Sequence, residues 1–328
     1  SGTDITSLRE FKEADVIHLS WINQGMLSLS NIRKILRTGK PVVWTMHDLW
    51  PASAICHLSL GCNNFKTHCG HCKYLPNGGS SHDLSYQVWK KKEKLYNASN
   101  ISFVACSRWL ANEAKASGLL KNQVVTAIPN PINTQMFNPN DKRLARQLCG
   151  FPEGKRLILF VAQRATNVNK GMSYLIEACN QLTHTYPEMC DNTALVILGG
   201  QSDDFEGQFR MQMFPLGYVS DEAQIVNIYN AVDTFVLPSL SENLPNTIME
   251  AMACGVPCVG FRVGGIPEMI DHHTNGYVAT ARSSDDLARG NRWVLDEADY
   301  EAISVAAVRK VQRSYSRHHV ALRYLEIY

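Results

Sequence analysis

The sequence predicts an α/β protein with two doubly wound domains of parallel strands. Stretches of helical periodicity such as GMSYLIEACNQL (171–182) alternate with eight short apolar runs that predict strands: DVIHLSW (15–21), PVVWTMH (41–47), ISFVACS (101–107), VVTAIPN (124–130), RLILFVAQ (156–163), ALVILGG (194–200), DTFVLPS (233–239) and PCVGFRV (257–263). This alternation favours parallel sheets with right-handed crossovers. At 328 residues the chain exceeds what one hydrophobic core usually holds, so two domains are expected.

The expected domain organisation follows from where the strand and helix rhythm breaks. The stretch 129–154 is rich in Pro, Asn and Gly and interrupts this rhythm. We therefore predict an N-terminal domain over 1–130, a connection over 131–154 and a C-terminal domain over 155–328. We expect the last helix to pack back on the N-terminal domain. Residues 1–130 offer about four strands, fewer than a complete doubly wound domain has, so this domain is expected to lack a first strand-helix-strand portion.

Charge and hydropathy exclude several functional classes. The 32 Lys and Arg balance 30 Asp and Glu, and no basic block indicates a nucleic-acid partner. No apolar run approaches the roughly 18 residues of a spanning helix, so a cytoplasmic protein is expected. WKKKEKL (89–95) is typical of a solvated helical face, with peripheral contact to an anionic inner-membrane surface as the alternative.

Four of the ten cysteines are crowded into CHLSLGCNNFKTHCGHC (56–72). Reduced thiols are the default in a chain of this size, and this density is typical of metal ligands. We predict that a structural zinc ion is held by Cys56, Cys62, Cys69 and Cys72. Four free thiols or a disulfide formed on purification remain the alternative.

Two glutamates eight positions apart in SENLPNTIMEAMACGVP (241–257) predict a ligand site. A buried strand, DTFVLPS, precedes this loop, which delivers a helix N-terminus suited to phosphate. Eight helical residues span about 12 Å, more than the roughly 5–9.5 Å between the paired carboxyls of a glycosidase. We therefore predict that Glu242 and Glu250 bind hydroxyls at opposite ends of one ligand. Two ordinary surface glutamates are the alternative.

Other strand ends are expected at the same sheet edge. Arg164 and Lys170 supply cations, and Gly200 allows a ligand to approach the backbone closely. Gly217 and Val219 precede the next helix, where they offer a flat wall for a base.

RATNVNKGMSYLIEA, LGYVSDEAQIVNIYNAVDTFVLPSLSENLPNTIMEAMACGVPCV and GGIPEMI resemble the signature segments of retaining, family-four glycosyltransferases. The resemblance implies the GT-B fold, in which two Rossmann-like domains face each other across a cleft. It implies that Glu250 binds the ribose of a nucleotide sugar and that Glu242 contacts the sugar. It further implies that Arg164 and Lys170 bind the diphosphate and that Val219 borders the base. Backbone amides would hold the phosphates and sugar, in the segment that includes Asn243, Leu244 and Asn246.

The N-terminal half resembles the family less closely. WTMHDLWP places His47 where the family often has a histidine that touches the donor sugar; a structural histidine that caps its own turn is the alternative. The family's first strand and Gly-rich loop have no match. HDLWP followed by a Cys-rich insert resembles a subset of bacterial polysaccharide-building transferases.

The expected function is hexosyl transfer from a nucleoside diphosphate sugar to a saccharide or lipid-linked acceptor, with retention of anomeric configuration. Because no Asp-x-Asp occurs in the chain, catalysis is expected to need no divalent metal or other cofactor. A nucleotide-sugar epimerase, which would turn over donor without acceptor, is the alternative enzyme. A non-catalytic nucleotide-sugar-binding module is the alternative without turnover.

Overall fold

A computed structural model describes residues 2–23 and 25–328. Contacts divide the chain into two compact units. The first contains the described residues up to Pro129 together with Ala321–Tyr328, and the second contains Asn130–Val320. The segment 131–154, expected to connect the domains, therefore belongs to the second unit. No helix in the described part of the chain is both long enough and apolar enough to cross a lipid bilayer.

The first unit is built on a parallel four-stranded sheet with strand order β1-β2-β3-β4. Its strands are β1 (Ile17–Ser20), β2 (Val42–Met46), β3 (Ile101–Ala105) and β4 (Val124–Ala127). Its helices are α1 (Arg9–Glu13), α2 (Leu29–Arg37), α3 (Leu84–Asn97) and α4 (Arg108–Ala116). All five residues of β2 are buried, and the ring of Trp44 stacks on Phe103 of β3 at 5.7 Å between centroids. These contacts form the core of the unit.

The second unit is built on a parallel six-stranded sheet with order β10-β9-β8-β5-β6-β7. Its strands are β5 (Arg156–Arg164), β6 (Thr193–Gly200), β7 (Gln212–Gly217), β8 (Thr234–Leu237), β9 (Cys258–Phe261) and β10 (Gly276–Ala279). Counted within the unit, this is the doubly wound order 3-2-1-4-5-6. The chain reverses direction across the sheet between β5 and β8, and ligands of such sheets bind beyond the carboxyl ends of the strands at that point.

The remaining helices follow in chain order, and α13 crosses the division between the units. They are α5 (Lys142–Cys149), α6 (Met172–Thr185), α7 (Met189–Asn192), α8 (Glu222–Ala231), α9 (Asn246–Ala253), α10 (Ile266–Met269), α11 (Ser284–Arg292), α12 (Tyr300–Ser314) and α13 (Arg317–Leu325). A π-helix, Trp293–Glu297, continues α11.

The predicted α/β class with parallel sheets is confirmed, and each of the eight runs recognised as strands forms one. Two strands, β7 and β10, were not predicted. β7 contains Pro215, which argues against a central strand, but β7 lies at the sheet edge, where proline is tolerated. β10 has only four residues, GYVA, too few for a clear alternating pattern.

Candidate active site

The loops after β5 and β8 are locked together at the switch point of the second sheet. Leu240 N donates to Asn169 O at 2.8 Å. Gly171 has φ +73°, and a Cβ there would lie 1.9 Å from Pro238 O, so only glycine permits this approach. Gly264 does the same from the loop after β9, where a Cβ would clash with Glu242 O. Gly171 and Gly264 therefore let the neighbouring loops pack directly against the loop that carries Glu242.

Lys170 and Glu242 form an ion pair in this assembly, in which Lys170 Nζ donates to Glu242 Oε1. The Lys170 side chain is 30% exposed and that of Glu242 is 13% exposed, so the pair is partly withdrawn from water. Arg164 lies at the end of β5, in register with Gly200 of β6. The structure thus brings Lys170 to Glu242 and places Arg164 at the same sheet edge.

The helix N-termini at the switch point differ from those of four other helices of eight residues or more in this unit. Side chains of Asp141, Asp221, Ser283 and Asp299 cap α5, α8, α11 and α12. Neither α6, which begins after Gly171, nor α9, which begins after Pro245, has its N-terminus capped by any side chain of the described residues. Tyr174 N donates to Gly171 O and Ile248 N donates to Pro245 O, so the N–H groups of the first two residues of each helix are left for another acceptor. This makes the edge suited to an anion.

The predicted amide segment leads into α9. Asn243 and Leu244 are buried in the loop, and Asn246 is the exposed first residue of the helix. Asn243 O accepts from Gly265 N at 2.7 Å, which fixes the path of the loop. The segment therefore lies at the uncapped N-terminus, as the sequence predicts.

Glu250, the fifth residue of α9, borders a cavity of about 190 Å³. Tyr229 of α8 donates its hydroxyl to Glu250 Oε2 at 2.7 Å, which leaves the other carboxylate oxygen for a ligand. Burial raises the pKa of Glu250, and the Tyr229 hydrogen bond opposes this rise. The rest of the wall is Val161, Ala162, Gln163, Leu198, Gly199, Tyr218, Val219 and Ile225.

Of the glycines near the cavity, Gly199 lines it, whereas the predicted Gly200 and Gly217 do not. Gly199 lines the cavity and has φ +151°, with a Cβ position only 1.9 Å from Ala162 O. Gly200 instead pairs with Arg164, and Gly217 has φ +64° and donates its N–H to Ser202 Oγ at 3.0 Å. Val219 reaches the cavity wall together with Tyr218. Gly217 thus turns the chain so that the residues after it meet the cavity.

His47 follows β2 in the first unit. Its Nε2 lies 2.9 Å from Ser20 Oγ, and burial lowers its pKa. Next to it along the chain, Asp48 Oδ2 pairs with His57 Nδ1 at 2.7 Å, and the His57 ring lies 5.3 Å from that of Trp21. Both Trp21 and His47 follow strand ends, so polar and aromatic groups meet at the carboxyl edge of this sheet as well.

The Cys-rich insert brings its four thiols into one neighbourhood. Burial, together with the nearby Cys56, Cys62 and Cys72, raises the pKa of Cys69 to about 11. Within residues 2–23 and 25–328, however, no three His, Cys, Asp or Glu side chains are arranged to hold a metal ion. The side-chain arrangement therefore does not fit the zinc site, which stays a prediction that elemental analysis of reduced protein would test.

Sequence reasoning missed Tyr229 and the Asp48 and His57 pair. Tyr229 is fully buried in α8, and its position in the helical pattern is explained by packing of its ring alone. Only its contact with a carboxylate 21 residues later reveals its polar role. His57 lies within the Cys-rich insert, where the sequence indicates metal ligands rather than a partner for Asp48.

Family models match both units. Residues 155–297 match the model described as "Glycosyl transferases group 1", and residues 5–136 match the model described as "Glycosyltransferase Family 4". An uncharacterized glycosyltransferase of Methanocaldococcus jannaschii is 27% identical over 99% of this chain and 85% of its own length. D-inositol 3-phosphate glycosyltransferase 2 of Catenulispora acidiphila is 28% identical over 58% of this chain. That match spans 48% of the relative, about half its length.

Solved structures share the fold. A glycosyltransferase of Rickettsia africae superposes with a TM-score of 0.71 and 19% identity over 98% of this chain and 78% of that one. HepE of Anabaena, solved with UDP, superposes with a TM-score of 0.67 and 19% identity over 96% and 78%. HepE was also solved with UDP and glucose and with UDP-glucose. These likenesses confirm the predicted GT-B fold of two Rossmann-like domains.

Proposed function

We propose that this chain, which belongs to the glycosyltransferases and carries a group 1 domain and a family 4 domain, moves a hexose from a nucleoside diphosphate sugar to an acceptor. The acceptor is a saccharide or a lipid-linked saccharide of the kind used in polysaccharide synthesis. The anomeric configuration is retained. The observation that carries the proposal is the pair of uncapped helix N-termini beside Lys170 and Arg164, at the switch point of the second sheet.

The diphosphate binds at this edge. Each helix N-terminus contributes roughly +0.5 of a charge, and Lys170 and Arg164 contribute two full cations. Without donor, Lys170 is neutralised by Glu242. On donor binding, Lys170 turns to the phosphates, and the Glu242 carboxylate becomes free to accept from sugar hydroxyls.

The nucleoside binds in the cavity of about 190 Å³. Val219 and Tyr218 border the base, and the free oxygen of Glu250 accepts from ribose hydroxyls. A bound nucleoside fits the chemistry of this wall because the wall is mostly apolar and has one oriented carboxylate. The HepE complexes with UDP and UDP-glucose support a uridine nucleotide as the first donor to test.

Retention follows from a front-face displacement in which the leaving phosphate oxygen takes the proton of the acceptor hydroxyl. The protein then needs no base of its own and acts by stabilising the negative charge that develops on the leaving oxygen. Lys170, Arg164 and the N-termini of α6 and α9 are the groups placed to do this. His47 contacts the donor sugar in the proposed complex.

The reaction requires no divalent cation, because the protein's own cations compensate the charge of the diphosphate. A chelator should leave turnover intact. Complete loss of activity in chelator, reversed by magnesium or manganese, would contradict this part of the proposal.

Peripheral contact with an anionic membrane surface also belongs to the proposal. Lys90, Lys91 and Lys94 are exposed on α3, although Lys92 of the same run is buried. Sedimentation with anionic and neutral vesicles tests it: binding to anionic vesicles that persists in a Lys90→Glu, Lys91→Glu variant would refute a role for this face.

Mass spectrometry of reactions with a donor panel and saccharide acceptors tests the function. The expected product is an acceptor one hexose heavier, with the donor's anomeric configuration by NMR. An epimerised donor formed without acceptor would identify an epimerase. Donor binding without release of nucleotide under any acceptor condition would indicate a binding module.

A further inference from the structure

A second cavity of the same unit lies away from the predicted donor site. It encloses about 440 Å³ and is bordered by the end of α6, by α11 and by the π-helix. Helix α6 begins beside Lys170 and ends at Thr185, so its 14 residues separate the two places by about 20 Å. None of the residues assigned to donor binding borders this cavity.

Aromatic rings form much of its wall. The Trp293 ring lies 4.7 Å from that of His273 and 6.2 Å from that of Tyr277. Tyr186 lines the cavity near the end of α6. Trp293 and Tyr277 are half-buried, so part of each ring remains available to a ligand.

The two arginines of the wall already have carboxylate partners. Arg289 pairs with Asp286 at 3.2 Å and Arg292 pairs with Asp296. Asp285 and Glu297 add carboxylates to the wall. The Arg292 guanidinium lies 4.1 Å from the centre of the Tyr186 ring and pairs with Asp296 at 2.6 Å. An anionic ligand would meet arginines that are already paired, whereas a neutral polyhydroxylated ligand could use the remaining guanidinium N–H groups as donors and the carboxylates as acceptors.

The wall is held in place by tight packing and local backbone geometry. A Cβ at Gly290 of α11 would lie 2.6 Å from the Tyr277 ring, so the ring is pressed against the helix backbone. The change from α- to π-helix at Trp293 is the kind of irregularity often found at functional sites. His273 has φ +62°, a rare conformation for a residue with a Cβ. The cavity is therefore largely preformed, as ligand sites of this volume usually are.

We propose that this cavity binds a neutral saccharide chain, with sugar rings stacked on Trp293 and Tyr277 and hydroxyls bonded to Arg289 and Asp285. The aromatic faces and the planar guanidinium and carboxylate groups carry the choice of ligand class. The role rests on the proposed function: the site holds a distant part of the acceptor or product glycan. Long acceptors therefore gain affinity from it, and short ones do not.

Three hexasaccharides, maltohexaose, mannohexaose and chitohexaose, serve as probes on the full chain. The readout is the Trp293 indole NMR signal, assigned with a Trp293→Phe variant. At least one hexasaccharide should shift the signal saturably below about 10 mM, the range that detects millimolar dissociation constants. Arg289→Ala should weaken that binding about tenfold, as expected for loss of a hydrogen bond to a charged group. The Arg289 side chain is 73% exposed, so the fold should be kept.

Tyr74→Ala, at an exposed aromatic residue of the other unit, is the matched control and should bind the same hexasaccharide normally. No saturable shift with any of the three probes would overturn the proposal. Binding lost in Glu250→Ala but kept in Arg289→Ala would also overturn it, because the saccharide would then occupy the donor site. Turnover of a nucleotide sugar with a short acceptor tests the proposed function separately, and Arg289→Ala should leave it unchanged.

Discussion

Lys92 in the first unit and Lys170 in the second are both partly or wholly removed from water, but their surroundings are opposite. Lys92 is fully buried, with its Nζ 2.5 Å from Trp50 O, 2.9 Å from Ser53 O and 3.4 Å from the centre of the Trp50 ring. Lys170 keeps 30% of its side chain exposed and pairs with Glu242, a carboxylate on a neighbouring loop.

The difference separates a structural cation from one that a ligand can recruit. Lys92 donates to the backbone carbonyls of Trp50 and Ser53, so it holds the turn at 50–53 against α3. Lys170 is held by a side chain that can turn away, at a sheet edge with two uncapped helix N-termini. Burial of a lysine therefore does not indicate function by itself; the nature of its partner does.

The largest effect is expected at Lys170. Lys170→Ala should lower kcat about 10²- to 10³-fold with a smaller change in donor affinity, because the charge is needed most when negative charge develops on the leaving oxygen. The free energy of unfolding should change little. Steady-state kinetics measure the change in kcat, and thermal unfolding measures the change in stability. Lys310→Ala, which removes another ion-paired lysine of this unit, is the control. Equal losses of kcat in the two variants would refute the assignment.

Lys92→Ala should have the opposite effects: it should lower the free energy of unfolding and leave nucleotide binding unchanged. It leaves two carbonyls without their donor and opens space beside Trp50, so a loss of about 3 kcal/mol in the free energy of unfolding is expected. Denaturant titration measures it, and nucleotide affinity of the protein that remains folded should be normal. Lys91→Ala, at the exposed neighbour on the same helix, should cost almost nothing. A stable Lys92→Ala protein would show that the buried charge contributes no net stability.

The sequence predicts the strands and the fold class well, but it does not predict which side chains contact each other within the fold. Local periodicity indicated eight strands, and the loop after β8 placed Glu242 at a sheet edge. The Lys170 and Glu242 pair joins residues 72 positions apart, and no local pattern encodes that contact. The interpretation of WKKKEKL as a solvated face was wrong for Lys92. That residue shares a face of α3 with Trp89, Leu95 and Tyr96, a helical spacing that the sequence already contained.

Glu250→Ala should weaken binding of a nucleoside diphosphate by about 1.5–3 kcal/mol, the value of hydrogen bonds to a charged group. Burial raises the pKa of this carboxyl above its ordinary value. Because the ionised form accepts from ribose, affinity should be complete above the raised pKa and should fall as the pH falls through it. Calorimetry across this range measures both effects. In Glu250→Gln this titration should be absent, leaving only that of the phosphates; identical pH profiles for the two proteins would contradict the role.

The smallest effect is expected at Tyr229, whose hydroxyl orients Glu250. Tyr229→Phe preserves the ring but removes the donor to Oε2, so nucleotide affinity should fall by about 1 kcal/mol at neutral pH. The lost hydrogen bond had opposed the rise in the pKa of Glu250, so the pH at which affinity is half lost should move upward. A merely structural tyrosine would not move this midpoint. Tyr300→Phe removes a hydroxyl that is bonded to Lys142 instead, and it should leave both affinity and midpoint unchanged. If Tyr229→Phe behaves like Tyr300→Phe, Glu250 is oriented by its helix alone, and the second unit depends on fewer distant contacts than proposed.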